Sequence, residues 1–343
     1  MSSAERISVA CLGAGYFAQF HYDSWARMPE VELVGSCDLD LVKAAATGLP
    51  AYDDLGQMLD EADPDVLDII VPPNAHAAAI EQAIAHGVQT IICQKPFCRA
   101  LAEARHIAHR AEAAGVALVV HENFRFQPWY RAIKSALADG AIGQFHQATF
   151  RFRPGDGQGP RAYLDRQPYF QKMPRFLVHE TAVHWIDTFR YLFGEPVSVY
   201  ADLRKLNPVI EGEDAGYILF EYADGARALF DGNRHLDHAA DNLRRTMGEA
   251  LIEGTDGALG LSGDGSVHVR GQGALEMETV LGPDTWNGFG GDCVHALQAH
   301  VIAGLQSDGV LENTAPDYLK VLEIEEAVYA SAKLGHKVDL GAK

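Results

Sequence analysis

At 343 residues, 48% hydrophobic and with a formal net charge of -19, the chain holds enough apolar material for two domains of ordinary size. That acidity argues against a nucleic-acid or anionic-membrane partner, because both call for a basic face. No uninterrupted apolar run is long enough to span a bilayer, and MSSAERISVACLGAG has no basic region ahead of a long apolar core, so the chain reads as cytoplasmic.

The first third alternates short β-branched runs with Ala-rich stretches. ISVACLG, VELVGSCD, VLDIIVPP, VQTIICQKP and ALVVHENF read as strands; NAHAAAIEQAIAHG and LAEARHIAHRAEAAG between them read as helices, from their apolar spacing and closing glycines. Near-continuous apolar strands alternating with helices predict an α/β, doubly wound parallel sheet covered on both faces, over residues 1–122. Ligands of such sheets bind beyond the carboxyl ends of the strands, where Gly13, Asp38, Pro72, Lys95 and His121 all fall. Five cysteines, an odd number without C-x-x-C spacing, fit a reducing compartment. Cys11, Cys37 and Cys93 read as buried small hydrophobes.

Residues 123–343 have a different texture. A helix is predicted over Pro128–Asp139, then QFHQATFRFRP, then an irregular stretch rich in Gly, Arg and aromatics. From Val197 onward, alternating runs broken by Ala-Asp-Gly, Thr-Asp-Gly and Gly-Asp-Gly predict an α+β domain with an open, largely antiparallel sheet. Helices around Asp292–Leu305 and Pro316–Leu334 follow, the last able to pack back toward the N-terminal domain. An open sheet of this kind exposes enough surface to predict a homodimer or homotetramer.

The stretch CLGAGYFAQFH carries Gly13-x-Gly15-x-x-Ala18 between a first strand and a helix. The first glycine permits the tight turn, the second lets the backbone approach a pyrophosphate, and the small alanine lets helix and strand pack closely. Asp38, ending the second strand, is placed to accept bonds from an adenosine ribose. It would repel a 2′-phosphate, which favours NAD over NADP.

RFLVHETAVHWIDTFRYLFG reads as a mostly apolar helix on which Glu180, His184, Asp187 and Tyr191 share one face. The bland alternative is an intrahelical pair of His184 with Asp187 or Glu180. Beside a dinucleotide site the line of polar groups gains a use: His184 can take the proton of a carbinol whose hydride leaves, while Lys95 holds the substrate oxygen.

With Gly13-Ala14-Gly15-Tyr16-Phe17-Ala18, VPPNAHAAA, Lys95-Pro96, ENFRFQPWYRAIKSALADGAIG and EIEEAVYASAKLG in view, the chain resembles the Gfo/Idh/MocA oxidoreductases, the glucose–fructose oxidoreductase and inositol dehydrogenase group, over nearly its whole length. The resemblance implies a Rossmann domain joined to an α/β domain that often makes dimers or tetramers, and NAD(P)-dependent oxidation or reduction of sugars, polyols and their derivatives. It implies Lys95, His184 and Glu180 as catalytic groups. It also implies Gly13, Gly15, Tyr16, Phe17, Ala18, Asp38, Pro72, Asn74, His76, Gln94 and Lys95 around the cofactor. Two departures stand out. Gln94 replaces the glutamate of the family's Glu-Lys-Pro motif, which removes a negative charge beside Lys95 and would leave its ammonium less stabilised. Glu180-Thr181-Ala182-Val183-His184 stands in place of Asp-x-Gly-x-His, with a longer acid and no glycine.

Arg151, Arg153, Arg161, Arg166 and Arg175 cluster in an acidic chain. They read first as anchors of a loop or a subunit interface through salt bridges. The sharper alternative is that one or two, Arg161 among them and together with Arg125, hold a substrate carboxylate, with His121 and His179 as further substrate-binding candidates. Among fifteen histidines, His106 and His109 share a helix with Glu103, but no metal triad emerges and none is expected. The leading expectation is an NAD-dependent dehydrogenase acting on a small sugar, cyclic polyol or sugar acid. Two rivals keep the dinucleotide: a redox-cycling isomerase, lyase or glycoside-cleaving enzyme working through a keto intermediate, and a non-catalytic sensor.

Overall fold

The computed structural model describes residues 6–307 and 309–341. The described residues divide into two compact units, one drawn from Met1–Asn123 with Val294–Lys320, the other from Phe124–Cys293 with Val321–Lys343.

The first unit is built on β1 (Ile7–Leu12), β2 (Val31–Cys37), β3 (Ala51–Tyr52), β4 (Val66–Ile69), β5 (Thr90–Gln94) and β6 (Ala117–His121), interleaved with α1 (Ala18–Ala26), α2 (Leu41–Ala45), α3 (Leu55–Ala62), α4 (Pro73–Ala85) and α5 (Leu101–Ala113). All pairings are parallel, in the order β3-β2-β1-β4-β5-β6. This is the doubly wound order in which the chain reverses direction beside β1 and leaves a crevice at the strand ends. The short edge strand β3 adds to the five runs legible in the sequence. Val9, Ala10, Cys11, Ile69, Ile91, Ile92 and Cys93 have no exposed surface, as strands sandwiched between helices require. Pro73, in the first turn of α4, suits its fixed backbone angle and missing donor.

In the second unit, α6 (Pro128–Ala138) leads to β7 (Phe145–Phe152) and, after a long irregular stretch, to α7 (Val183–Phe193). Strands β8 (Ser198–Arg204), β9 (Ala215–Glu221), β10 (Arg227–Asn233), β11 (Gly248–Gly254), β12 (Gly257–Leu261), β13 (Val267–Gly271) and β14 (Glu278–Leu281) follow. Helices α8 (Cys293–Ser307) and α9 (Ala315–Leu334) precede a last short strand, β15 (Val338–Asp339). The nine-stranded sheet runs β14-β13-β12-β11-β7-β10-β9-β8-β15. The Asp-Gly-type breaks join β9 to β10, β11 to β12 and β12 to β13 as antiparallel hairpins. Strand β7 is inserted between β11 and β10, antiparallel to the first and parallel to the second.

One face of this sheet is dry. Phe150, Phe152 and Phe230 project toward α7, where the fully buried Trp185 packs on them at ring separations of 4.4, 5.2 and 5.3 Å. The opposite face leaves Tyr200, Tyr217 and Leu251 exposed. Among the described residues no helix is long and apolar enough to cross a membrane.

Candidate functional site

The turn between β1 and α1 has the shape its glycines suggest. Gly13 sits at φ +109°, and a Cβ there would lie 2.8 Å from the Ile70 carbonyl oxygen, so both backbone angle and space bar a side chain. Its N–H donates to the Cys37 carbonyl at 2.7 Å. Gly15 is exposed, with nothing within 4 Å of where a Cβ would stand. Helix α1 then opens without a side-chain cap and without an acid in its first turn, so its positive end is left to an outside anion. Ala18 is buried beneath this turn, Phe17 is half-buried, and Tyr16 is exposed.

Asp38 spans the ends of the first two strands. One carboxylate oxygen accepts from the Ala14 N–H at 2.8 Å and the other from the Asp40 N–H at 2.9 Å. Each oxygen keeps a further lone pair for a sugar hydroxyl. A turn that admits close approach, an uncapped helix start and an acid beside them fit the pyrophosphate and ribose of a dinucleotide.

At the end of β5, Gln94 is buried and Lys95 half-buried. The Lys95 N–H donates to Gln94 Oε1 at 3.0 Å, and Gln94 Nε2 lies 2.9 Å from His21 Nε2 and 3.3 Å from His121 Nδ1. Pro72 and Asn74 are exposed at the start of α4. His76 turns inward instead: Nε2 donates to the Val71 carbonyl at 2.8 Å, and Nδ1 accepts from the Cys98 N–H at 3.4 Å. Burial pushes its imidazole down to about 4, the Val71 bond opposing only in part. A neutral His76 thus ties α4 to the loop just beyond Lys95-Pro96.

In the second unit the expected single regular helix is in two parts. Leu177–Ala182 is π-helical and α7 is regular from Val183. Wider turns rotate less per residue, which changes how Glu180 and His179 line up with His184, and such turns recur at functional sites. His179 Nδ1 lies 2.7 Å from Glu325 Oε1 on α9, and Glu325 is almost fully buried. Glu180 reaches the buried Arg234, 3.1 Å from its Nη2, and Thr181 Oγ1 bonds both. Burial works against the charge of Arg234, but Asp156, Tyr163 and Glu180 raise its pKa overall. His184 is buried and stacked flat on Phe124, with ring centroids 3.7 Å apart and planes 3° from parallel.

Asp187 is fully buried and receives two bonds from Arg125, at 2.8 and 2.5 Å. The Arg125 guanidinium, a sequence candidate for a substrate carboxylate, is therefore already matched to a carboxylate of this chain. The arginine cluster behaves likewise: Arg151 faces Glu249, Arg153 Asp231, Arg161 Asp165, Arg166 Asp156 and Arg175 Glu326. Arg161 is exposed and its partner lies four residues on. These pairs anchor the 151–175 stretch, the blander of the two sequence readings. Among the described residues no group of three or more His, Cys, Asp or Glu is placed to hold a metal ion.

Sequence reasoning passed over Asp68, Glu325 and Arg234. Asp68 had one signal: an acid inside the apolar run VLDIIV must be paired if that run is a central strand. Glu325 lies within EIEEAVYASAKLG, one of the runs that carry the family resemblance, but nothing in that run marks its partner; Arg234, just past the end of β10, had no signal.

A parallel sheet in this strand order, with this glycine turn and an acid ending its second strand, defines a dinucleotide-binding domain of the Rossmann type. Residues 7–122 match the family described as an oxidoreductase family with an NAD-binding Rossmann fold, and residues 130–259 match the GFO/IDH/MocA C-terminal domain. The chain belongs to the Gfo/Idh/MocA family. It is 32% identical to a D-apiose dehydrogenase of Paraburkholderia graminis, over 99% of this chain and 91% of that one. A second D-apiose dehydrogenase, from Rhizobium rhizogenes, is 30% identical with 97% of each chain covered. Among solved structures, an oxidoreductase of Agrobacterium radiobacter in complex with NAD+, L-tartaric acid and magnesium superposes with a TM-score of 0.88 at 29% identity, covering 98% of this chain and 99% of that one.

Proposed function

We propose that this protein oxidises a CH–OH group of a small sugar, cyclic polyol or sugar acid with NAD. Similarity along the full length to proteins named D-apiose dehydrogenase carries the reading. Gly13, Gly15 and the start of α1 would hold the pyrophosphate and Asp38 the adenosine ribose. When bound, NAD supplies the acceptor for the hydride. Lys95 holds the substrate oxygen by donating to it, and His184 takes the hydroxyl proton as the C–H bond breaks and the C=O bond forms. Glu180 is held by Arg234, which supports a role in orienting the π-helical segment around His184.

Reduction of NAD+ across a panel of D-apiose, other sugars, inositols, aldonic acids and L-tartrate tests this. We expect a substrate-dependent rise in NADH, larger with NAD+ than with NADP+. No rise with any compound would discard the dehydrogenase reading.

The exposed sheet face bearing Tyr200, Tyr217 and Leu251 supports a homodimer or homotetramer. Light scattering should give two or four chain masses, and a monomer at micromolar concentration would count against it. All five cysteines are free and buried, which supports the cytoplasmic reading.

A further inference from the structure

The orientation of the Gln94 amide is set by a group that can only donate. The Lys95 N–H lies 3.0 Å from Oε1, so the amide hydrogens point the other way, one toward His21 Nε2 at 2.9 Å and one toward His121 Nδ1 at 3.3 Å. Both imidazole nitrogens must accept. His21 Nδ1 lies 2.7 Å from Asp68 Oδ2, which as a carboxylate oxygen can only accept, and therefore carries the hydrogen; Gln298 Nε2, 3.2 Å from the same nitrogen, gives its hydrogen to Asp68 Oδ2 at 3.0 Å instead. His21 is then a neutral imidazole in one tautomer, defined by its two neighbours. Its ring centre is 4.3 Å from that of His121, a separation at which two imidazolium cations would repel.

Asp68 Oδ2 also accepts from Trp25 Nε1 at 2.8 Å and Gln298 Nε2 at 3.0 Å. Three donors on one oxygen favour the ionised carboxylate. Asp68, His21 and Gln298 have no exposed surface, and Asp68 Oδ1 is buried without a hydrogen-bond partner among the described residues. The other titratable groups facing the cluster are Cys11 on β1, Cys93 on β5 and Tyr22 on α1. Burial pushes all three up, Asp68 adding to each, so they stay neutral. His295 on α8 faces Ser24, one turn along α1.

Glutamate at 94 would reverse the demand on His21. A carboxylate has no hydrogen to give, so His21 would need a second proton on Nε2, and the cluster would again hold one net negative charge. Glutamine in place of glutamate therefore removes a pair of opposite charges and leaves the net charge of the cluster unchanged. We propose that Gln94 and His21 are a matched pair, amide with neutral imidazole, and that Asp68 is the buried carboxylate acting through them as a positioning residue for the Lys95 segment. The catalytic weight of this wiring rests on the role proposed for Lys95; the protonation state of His21 does not.

Imidazole nitrogen-15 shifts of the full-length protein near neutral pH test the pairing. The parent should show His21 neutral with its proton on Nδ1, and Gln94→Glu should show it doubly protonated. An imidazolium at His21 in the parent, or a neutral one in the variant, would overturn the proposal, and the parent spectrum decides even if the variant does not fold. Thermal melting supplies a second reading. In Gln94→Glu an ion pair between the introduced carboxylate and a doubly protonated His21 stabilises the folded protein only while the imidazole keeps its second proton, so that stabilisation is lost as pH rises. The variant should therefore fall further behind the parent as pH rises above the ordinary imidazole range, about 6.5, and a gap independent of pH would refute the matched pair. Where turnover is measurable, Gln94→Glu should gain an alkaline fall in kcat that the parent lacks. A variant profile identical to the parent's would remove the positioning role for the Lys95 segment. Absence of turnover in the parent would fault the proposed reaction while leaving the nitrogen-15 result intact.

Discussion

Lys95→Met is expected to cost about 100- to 1000-fold in kcat, the loss typical of removing one donor to a developing oxyanion. Methionine keeps the length and apolar stem of lysine. It also keeps the backbone N–H that bonds Gln94 Oε1, so the end of β5 and the buried cluster behind it should stay in place. Turnover with the best member of the sugar panel, set beside NAD+ affinity by fluorescence quenching, separates the effects. We expect kcat to fall far more than NAD+ affinity. A loss of no more than a few-fold would remove Lys95 from the chemistry and with it the central role in the proposed mechanism.

Asp187→Ala is expected to destabilise the second unit by about 3–5 kcal/mol, the cost of leaving one partner of a buried ion pair unmatched. Arg125 is nearly buried and its guanidinium also lies 5.3 Å from the ring centre of Tyr191, so it has little route to water once its carboxylate is removed. The pair joins the short 3-10 turn Phe124–Phe126 to α7. Because Phe124 is the ring on which His184 stacks, loosening this joint should also disturb the imidazole. Denaturant titration reads the stability, and a change below about 1 kcal/mol would mean that Arg125 finds another anion or water. Asp187→Asn, which keeps the shape and one acceptor, should fall between the two.

The π-helical turn shows where reading by spacing stops. Glu180, His184, Asp187 and Tyr191 recur at helical intervals, and that spacing is real, but helical periodicity alone does not reveal that Leu177–Ala182 widens before α7 begins. Nor does it tell a reader that the four polar groups have separate partners: Glu180 turns to Arg234, His184 stacks on Phe124, Asp187 pairs with Arg125, and Tyr191 accepts from Arg131. Arg125 shows the same limit from the other side. A nearly buried arginine beside a candidate site suggests an anion, and here the chain provides one 62 residues on.

The sequence by itself determined the doubly wound sheet, the glycine turn, the acid at the end of β2, the antiparallel hairpins and the strand-end position of Lys95. Each of these is written in a few neighbouring residues: period-two or continuous apolar runs, a glycine where φ must be positive, Asp-Gly at a turn. The tertiary structure decided how the buried charges are matched. His21 meets Asp68 across 47 residues, Glu180 meets Arg234 across 54, and His179 meets Glu325 across 146. A strand or helix can be read locally because its hydrogen bonds and its exposed face repeat at short range. A buried charge is matched only where the fold brings a distant partner within hydrogen-bond reach, and nothing in the spacing of the sequence specifies which partner that will be.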